Sequence, residues 1–84
     1  MKTLVVYSSK YCPFCVRAKQ LLNHKDIEFE EINVDQDAEQ RKIMRERSNR
    51  TSVPQIFYGD HHIGGCDELY ALEREGGLDK LLAS

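Results

Sequence analysis

No apolar run in this 84-residue chain approaches the roughly 20 residues needed to cross a bilayer, and no leader-like layout precedes the first strand pattern. A membrane span and an export signal are therefore not expected, and a cytoplasmic address is. An excess of either charge is missing too. With a formal net charge of -2 and a pI near 5.9, no global field favours nucleic acid or an anionic membrane. Internal repeats, linkers and low-complexity tracts are absent. Cysteine is sparse: three residues are an odd number and too few for a disulfide scaffold. At 40% hydrophobic and 31% charged, the chain suits one compact soluble domain, 1–84, with a small core.

Within those bounds the apolar patterning is regular. Thr3-Leu4-Val5-Val6-Tyr7 is a continuous β-prone run, as expected of a strand covered on both faces. From Pro13 the spacing becomes helical, with Cys15, Ala18, Leu21 and Leu22 on one stripe, and this helix should end near Lys25 and Asp26. Ile27, Phe29, Ile32 and Val34 alternate with acids but change phase at Glu30-Glu31, which predicts a second strand with a bulge or register shift there. Asp35 or Asp37 is placed to cap a solvated helix running to about Ser48, with Ala38, Ile43 and Met44 as its thin apolar stripe. Gln55 to Tyr58 and His61 to Gly64 flank Gly59-Asp60, the spacing of a tight hairpin. Leu69 and Leu72 mark a third helix, Gly76-Gly77 breaks it, and Leu78, Leu81 and Leu82 form a short amphipathic turn. The order β-α-β-α-β-β-α implies an α/β fold, a four-stranded mixed sheet flanked by helices.

The chemistry concentrates at Cys12-Pro13-Phe14-Cys15, where the first strand gives way to the first helix. Pro13 suits the first helical position, because its missing N–H would be unpaired there anyway. Cys12 then stands just outside the helix, exposed, at the positive end of the macrodipole, where a sulfur is favoured as the nucleophilic thiolate. Cys15 lies on the same helical face but against the core, so burial should favour its thiol form. Cys12 attacks and Cys15 resolves. The competing readings are a pair of structural cysteines or half of a zinc site, but a zinc site needs four ligands and no second Cys-x-x-Cys exists.

Two further motifs are weaker alone. In Thr51-Ser52-Val53-Pro54, the residue before proline is held extended, so Val53 offers its backbone as a one-residue strand edge for a peptide-like ligand. An ordinary strand-opening proline is the plainer reading, and the isomer of the Val53-Pro54 bond is open. Gly64-Gly65-Cys66-Asp67 opens the third helix, whose first N–H groups suit a carboxylate while Asp67 suits an ammonium; the plainer reading is a helix cap. His24, His61 and His62 read as surface histidines rather than ligands, and Glu28, Glu30 and Glu31 as a solvated face. The run Glu39 to Arg50 reads as a wet helix face, with Arg41 and Arg50 candidates for a ligand carboxylate or an acidic partner protein.

Taken together, in this order and at these intervals, the three motifs resemble those of the glutaredoxins, and the resemblance spans nearly the whole chain. It implies a thioredoxin fold, glutathione as reductant and co-substrate, no metal, and a monomer. Cys12 would be the nucleophile and Cys15 the resolving thiol, with Val53, before a proline the family holds cis, pairing with the glutathione backbone. The implied glutathione site comprises Lys10, Tyr11, Phe14, Ser52, Val53, Pro54, Gly65, Cys66 and Asp67, with Lys10 the first candidate for the glycyl carboxylate. Three positions depart from the family pattern: Ser9 stands where lysine is common, Phe14 where tyrosine is frequent, and Ser52 where threonine is usual. The implied substrates are protein disulfides and glutathionylated proteins, with ribonucleotide reductase one family-level possibility. Rival functions are a thioredoxin-like donor reduced by a flavoenzyme and a glutathione-ligated iron–sulfur scaffold. Pro13 stands against the scaffold, because cluster-carrying relatives usually have glycine there. Cys66 is oxidisable in principle, the plainer reading being a small buried thiol.

Overall fold

Strand β1 (Leu4–Ser8) lies at the centre of a four-stranded sheet of order β2-β1-β3-β4, which explains why its sequence is apolar on consecutive residues rather than alternate ones. The computed structural model describes residues 3–83. β1 pairs in parallel with β2 (Glu30–Asn33) and antiparallel with β3 (Gln55–Tyr58), which pairs antiparallel with β4 (His61–Gly64). Because side chains alternate, Leu4 and Val6 face one layer and Tyr7 the other.

The larger core fills the first layer. Ala18 and Leu22 of α1 (Pro13–His24), Cys66 and Leu69 of α3 (Cys66–Arg74), and Leu78 of α4 (Gly77–Ala83) pack there with Leu4, Val6 and Ile56. The second layer joins Tyr7, Val34 and Phe57 to Met44 of α2 (Ala38–Ser48). Both layers follow from the helical stripe of α1 and the two-residue period of the strands.

Helix ends show why the chain turns where it does. After α1, Asp26 adopts φ 56°, the Asp26 N–H donates to Asn23 O, and the Ile27 N–H donates to Leu22 O at 2.9 Å. This is a Schellman stop, and it delivers Ile27 to the larger core. Asp37 caps α2 by accepting from the Gln40 N–H at 3.1 Å, and Asn49 at φ 60° ends it. Asp35 does different work: it accepts from Ser9 Oγ at 2.6 Å and from the Lys10 N–H at 2.7 Å, tying the β1–α1 loop.

Four local expectations are corrected. β2 covers only Glu30–Asn33, and Ile27 and Phe29 reach the larger core before the strand begins, whereas Ile32 packs on the α2 side. The change of phase in the sequence is thus the entry into the strand, and the register irregularity lies between Ile56 and Phe57. Ala38 is exposed, because as the first residue of α2 it precedes the stripe, and Ser48 is buried instead, donating to Met44 O at 2.7 Å. Only Gly76, at φ 74°, breaks the chain after α3; Gly77 begins α4, which is a helix rather than a turn.

Leu22 has no exposed surface and joins α1 to the larger core. Leu22→Ala is expected to cost about 2–5 kcal/mol in urea unfolding, whereas Ala38→Ser should stay within about 0.5 kcal/mol.

Candidate functional site

The end of β1 and the start of α1 place the two thiols of the Cys-Pro-Phe-Cys motif differently. Cys12 is the N-cap residue of α1, with extended backbone at φ -113° and ψ 105°, and Pro13 occupies the first turn. The Cys12 sulfur accepts a hydrogen bond from the Cys15 N–H at 3.2 Å, so it takes the role an oxygen plays in ordinary caps. As a thiol it donates to the Val53 carbonyl at 3.5 Å. Cys12 is half-buried rather than fully exposed, because the Val53 segment closes over one side of it.

Cys15 has no exposed surface. Burial first, then its hydrogen bond with Cys12 and the proximity of that sulfur, push its thiol up to about 12. Burial likewise raises the Cys66 thiol. All three cysteines are free.

Beside the pair runs an open groove of about 200 Å³. Phe14, Ser52, Val53, Pro54, Gly65, Cys66 and Asp67, all expected from the sequence, line it. The Val53-Pro54 bond is cis, and Gly65 lies against the Pro54 carbonyl so closely that a Cβ there would sit 3.3 Å from that oxygen. Two segments distant in sequence thus meet through backbone, and glycine is what permits the approach.

Lys10 and Tyr11 are placed elsewhere. Lys10 borders a hollow with Asn33 and Asp35, its ammonium 5.4 Å from the Tyr11 ring centroid, and Tyr11 is 85% exposed. The basic residue that does line the groove is Arg50, in ion pair with Glu68 across from it. Arg41 instead approaches Asp35, at 3.9 Å.

The start of α3 is also built differently from expectation. The N-cap is Gly65, not Asp67, which lies one residue inside the helix and is exposed. Glu68 provides the cap, accepting from the Gly65 N–H at 3.1 Å, and Gly64 at φ 123° could not carry a Cβ without meeting the Glu68 side chain at 2.8 Å. The Arg50 guanidinium and then the Gly65 N–H hold the Glu68 carboxyl below its ordinary 4.5.

Glu68 and Gln55 were not expected at the site, and His62 was expected at the surface. Gln55 lines the groove though only 1% exposed, and His62 is half-buried rather than a surface histidine, stacked on Phe57 at 4.7 Å. The available signals were a glutamate three residues after a helix start and a polar residue facing a core position across a hairpin. Glu31 is more than a solvated acid, since it accepts from Ser8 Oγ at 2.6 Å and Lys19 Nζ at 2.7 Å. Among the described residues no group of three or more histidine, cysteine or acidic side chains is arranged to hold a metal ion. No helix there is long and apolar enough to cross a membrane.

A thiol capping a helix, a second thiol buried one turn on, and a mixed sheet with its central strand feeding that helix define a thiol oxidoreductase of the thioredoxin fold. Residues 4–63 match the family model described as Glutaredoxin. The chain is 51% identical over 82 residues to Glutaredoxin 3 of Escherichia coli, covering 98% of this chain and 99% of that one. A solution structure of glutaredoxin from Brucella melitensis superposes with a TM-score of 0.85 at 52% identity, over 98% of this chain and 89% of that one. A crystal structure of a buckwheat glutaredoxin-glutathione complex gives 0.88 at 32% identity, over 98% and 77%. This chain belongs to the glutaredoxin family.

Two measurements follow from the electrostatics. With its thiol pushed up to about 12, Cys15 should resist iodoacetamide at pH 8 in the native protein and react in denaturant; labelling at the rate of a free thiol would contradict its burial. Glu68, depressed in the folded state, contributes stability that is full above its unfolded-state value near 4.5 and fades as pH falls through the lower folded value. The stability gap between wild type and Glu68→Gln should therefore be widest above pH 4.5 and close in acid, as followed by urea midpoints across the range.

Proposed function

We propose that this chain, acting as one domain, is a glutathione-dependent thiol–disulfide oxidoreductase that reduces glutathione mixed disulfides and protein disulfides. The observation that carries the reading is the position of the Cys12 sulfur, 3.2 Å from the Cys15 N–H and 3.5 Å from the Val53 carbonyl, beside an open groove.

Glutathione is a peptide thiol with two carboxylates and one ammonium, and the groove has a counterpart for each. Val53 offers its backbone edge, as β-strand addition requires. The first-turn N–H groups of α3, at Cys66 and Asp67, have no intrahelical acceptor and suit the γ-glutamyl carboxylate, while the Asp67 side chain suits the ammonium. Arg50 replaces Lys10 in our assignment of the glycyl carboxylate, because Arg50 lines the groove and Lys10 does not. Phe14, Ser52, Pro54 and Gly65 complete the walls. The buckwheat relative, solved as a glutathione complex, supports this choice of ligand.

In the monothiol route the Cys12 thiolate attacks the glutathione sulfur of a mixed disulfide. A Cys12–glutathione bond forms, the substrate sulfur leaves and takes up a proton, and a second glutathione thiolate then frees Cys12 as glutathione disulfide departs. In the dithiol route Cys12 attacks a protein disulfide, Cys15 attacks the Cys12 sulfur, and the reduced protein leaves behind a Cys12–Cys15 bond that glutathione reopens. Two of the influences that hold Cys15 protonated come from Cys12: the hydrogen bond and the sulfur's charge. The charge is removed once Cys12 is in a mixed disulfide, while burial, the larger influence, remains.

A glutathione-coupled assay on a small mixed disulfide tests the assignment. Cys12→Ser should abolish turnover of both mixed and protein disulfides, whereas Cys15→Ser should keep the first and lose most of the second. Equal loss in the two variants would overturn the division of roles.

A further inference from the structure

In the groove wall, a buried amide joins the cis-proline segment to a histidine. Gln55 is 1% exposed, and its side chain is engaged at both ends. The nitrogen Nε2 donates to the Ser52 carbonyl at 2.9 Å and approaches Ser52 Oγ at 3.3 Å, while the oxygen Oε1 lies 2.8 Å from His62 Nε2.

The chemistry of these atoms fixes the direction of the chain. The Ser52 carbonyl is only an acceptor, so the Gln55 atom facing it is the NH₂ group. Oε1 must then face His62, and an amide oxygen only accepts, so His62 Nε2 carries the hydrogen. Burial keeps the histidine below its ordinary 6.5, with nearby Arg50, His61 and Arg47 acting in the same sense and Glu68 against it, so at neutral pH the imidazole has one proton and a defined place for it. Stacking on Phe57, with ring planes 27° apart, fixes the ring on its other side.

We propose that His62 is a positioning residue for the glutathione site, acting through Gln55 to hold the Ser52-Val53 backbone where Val53 meets both Cys12 and the ligand. This rests on the glutathione reading above. His62 touches no reacting atom. Its Nε2–H satisfies the Gln55 oxygen, the oriented amide nitrogen holds the Ser52 carbonyl, and Val53 follows as the next residue, bearing the carbonyl that receives the Cys12 thiol. Losing the donor leaves a buried acceptor unpaired, which frees the amide to turn and the segment to shift.

The test compares His62→Phe, which keeps a ring over Phe57 without the donor, with His62→Gln, which places an amide N–H near the position of Nε2. Kinetics use a glutathionylated peptide with glutathione as reductant. In His62→Phe the KM for the peptide should rise about tenfold with kcat within about twofold, and His62→Gln should recover most of that loss; tenfold corresponds to about 1.4 kcal/mol. Equal KM values in wild type and His62→Phe, or failure of His62→Gln to recover any of the loss, would overturn the proposal. Absence of turnover in wild type would instead remove the glutathione reading. A second measurement needs no variant: long-range ¹H–¹⁵N spectra at neutral pH should show His62 as the Nε2–H tautomer, and the Nδ1–H tautomer would overturn the relay even if His62→Phe did not fold.

Discussion

The burial of one helical stripe organises everything else in this molecule. Ala18 and Leu22 are fully buried in the core that the sheet shares with α3 and α4, and that contact sets the rotation of α1 about its axis. Once the rotation is set, Cys15 must point inward and Cys12 must stand at the cap. The inequality of two chemically identical side chains is therefore a packing result. Nothing in the Cys-Pro-Phe-Cys motif by itself would hold one thiol up near 12 and leave the other half-buried against the Val53 carbonyl.

The same contact links stability to reactivity. A displacement of α1 by a fraction of a turn would expose Cys15 and turn the Cys15 N–H away from the Cys12 sulfur, since both depend on one short stretch of helix. On the opposite side, the approach of Gly65 to the Pro54 carbonyl fixes how far α3 stands from the cis-proline segment. The groove lies where these two constraints meet, with Phe14 contributed by α1 and Gly65, Cys66 and Asp67 by the start of α3.

Much of this was legible in the residues. Elements whose register depends on local periodicity, such as the apolar run of β1, the stripe of α1 and the Gly59-Asp60 hairpin, lie within a residue or two of where patterning places them. Patterning failed where one residue serves two elements. Ile27 and Phe29 look like strand residues but belong to a helix stop and a loop, because a Schellman turn uses an apolar residue just where a strand would. Most of the groove-lining residues were also readable, since three motifs mark them. The basic residue was legible only as one of three candidates: Lys10 lies two residues before Cys12, yet the loop tied by Asp35 carries it away, while Arg50 arrives from beyond the end of α2. Gln55 and His62 were harder to read, since the one signal, a polar residue opposite the core position Phe57 across the hairpin, is faint beside the apolar periodicity.

The arginine- and lysine-rich stretch of α2 acquires a different meaning from its neighbours in space. Arg47 lies with its guanidinium 4.1 Å from the Phe57 ring centroid and donates to Tyr7 Oη at 3.2 Å and to Gly59 O at 3.0 Å, so its charge is spent roofing the smaller core. Arg41 faces Asp35, Lys42 faces Glu46, and Arg50 faces Glu68. What looks in linear form like a cationic ribbon is, on the folded surface, three cations set against carboxylates, with Arg47 turned over the smaller core and Arg45 exposed between them. A polyanion drawn to this face would compete with the protein's own carboxylates for three of its five cations.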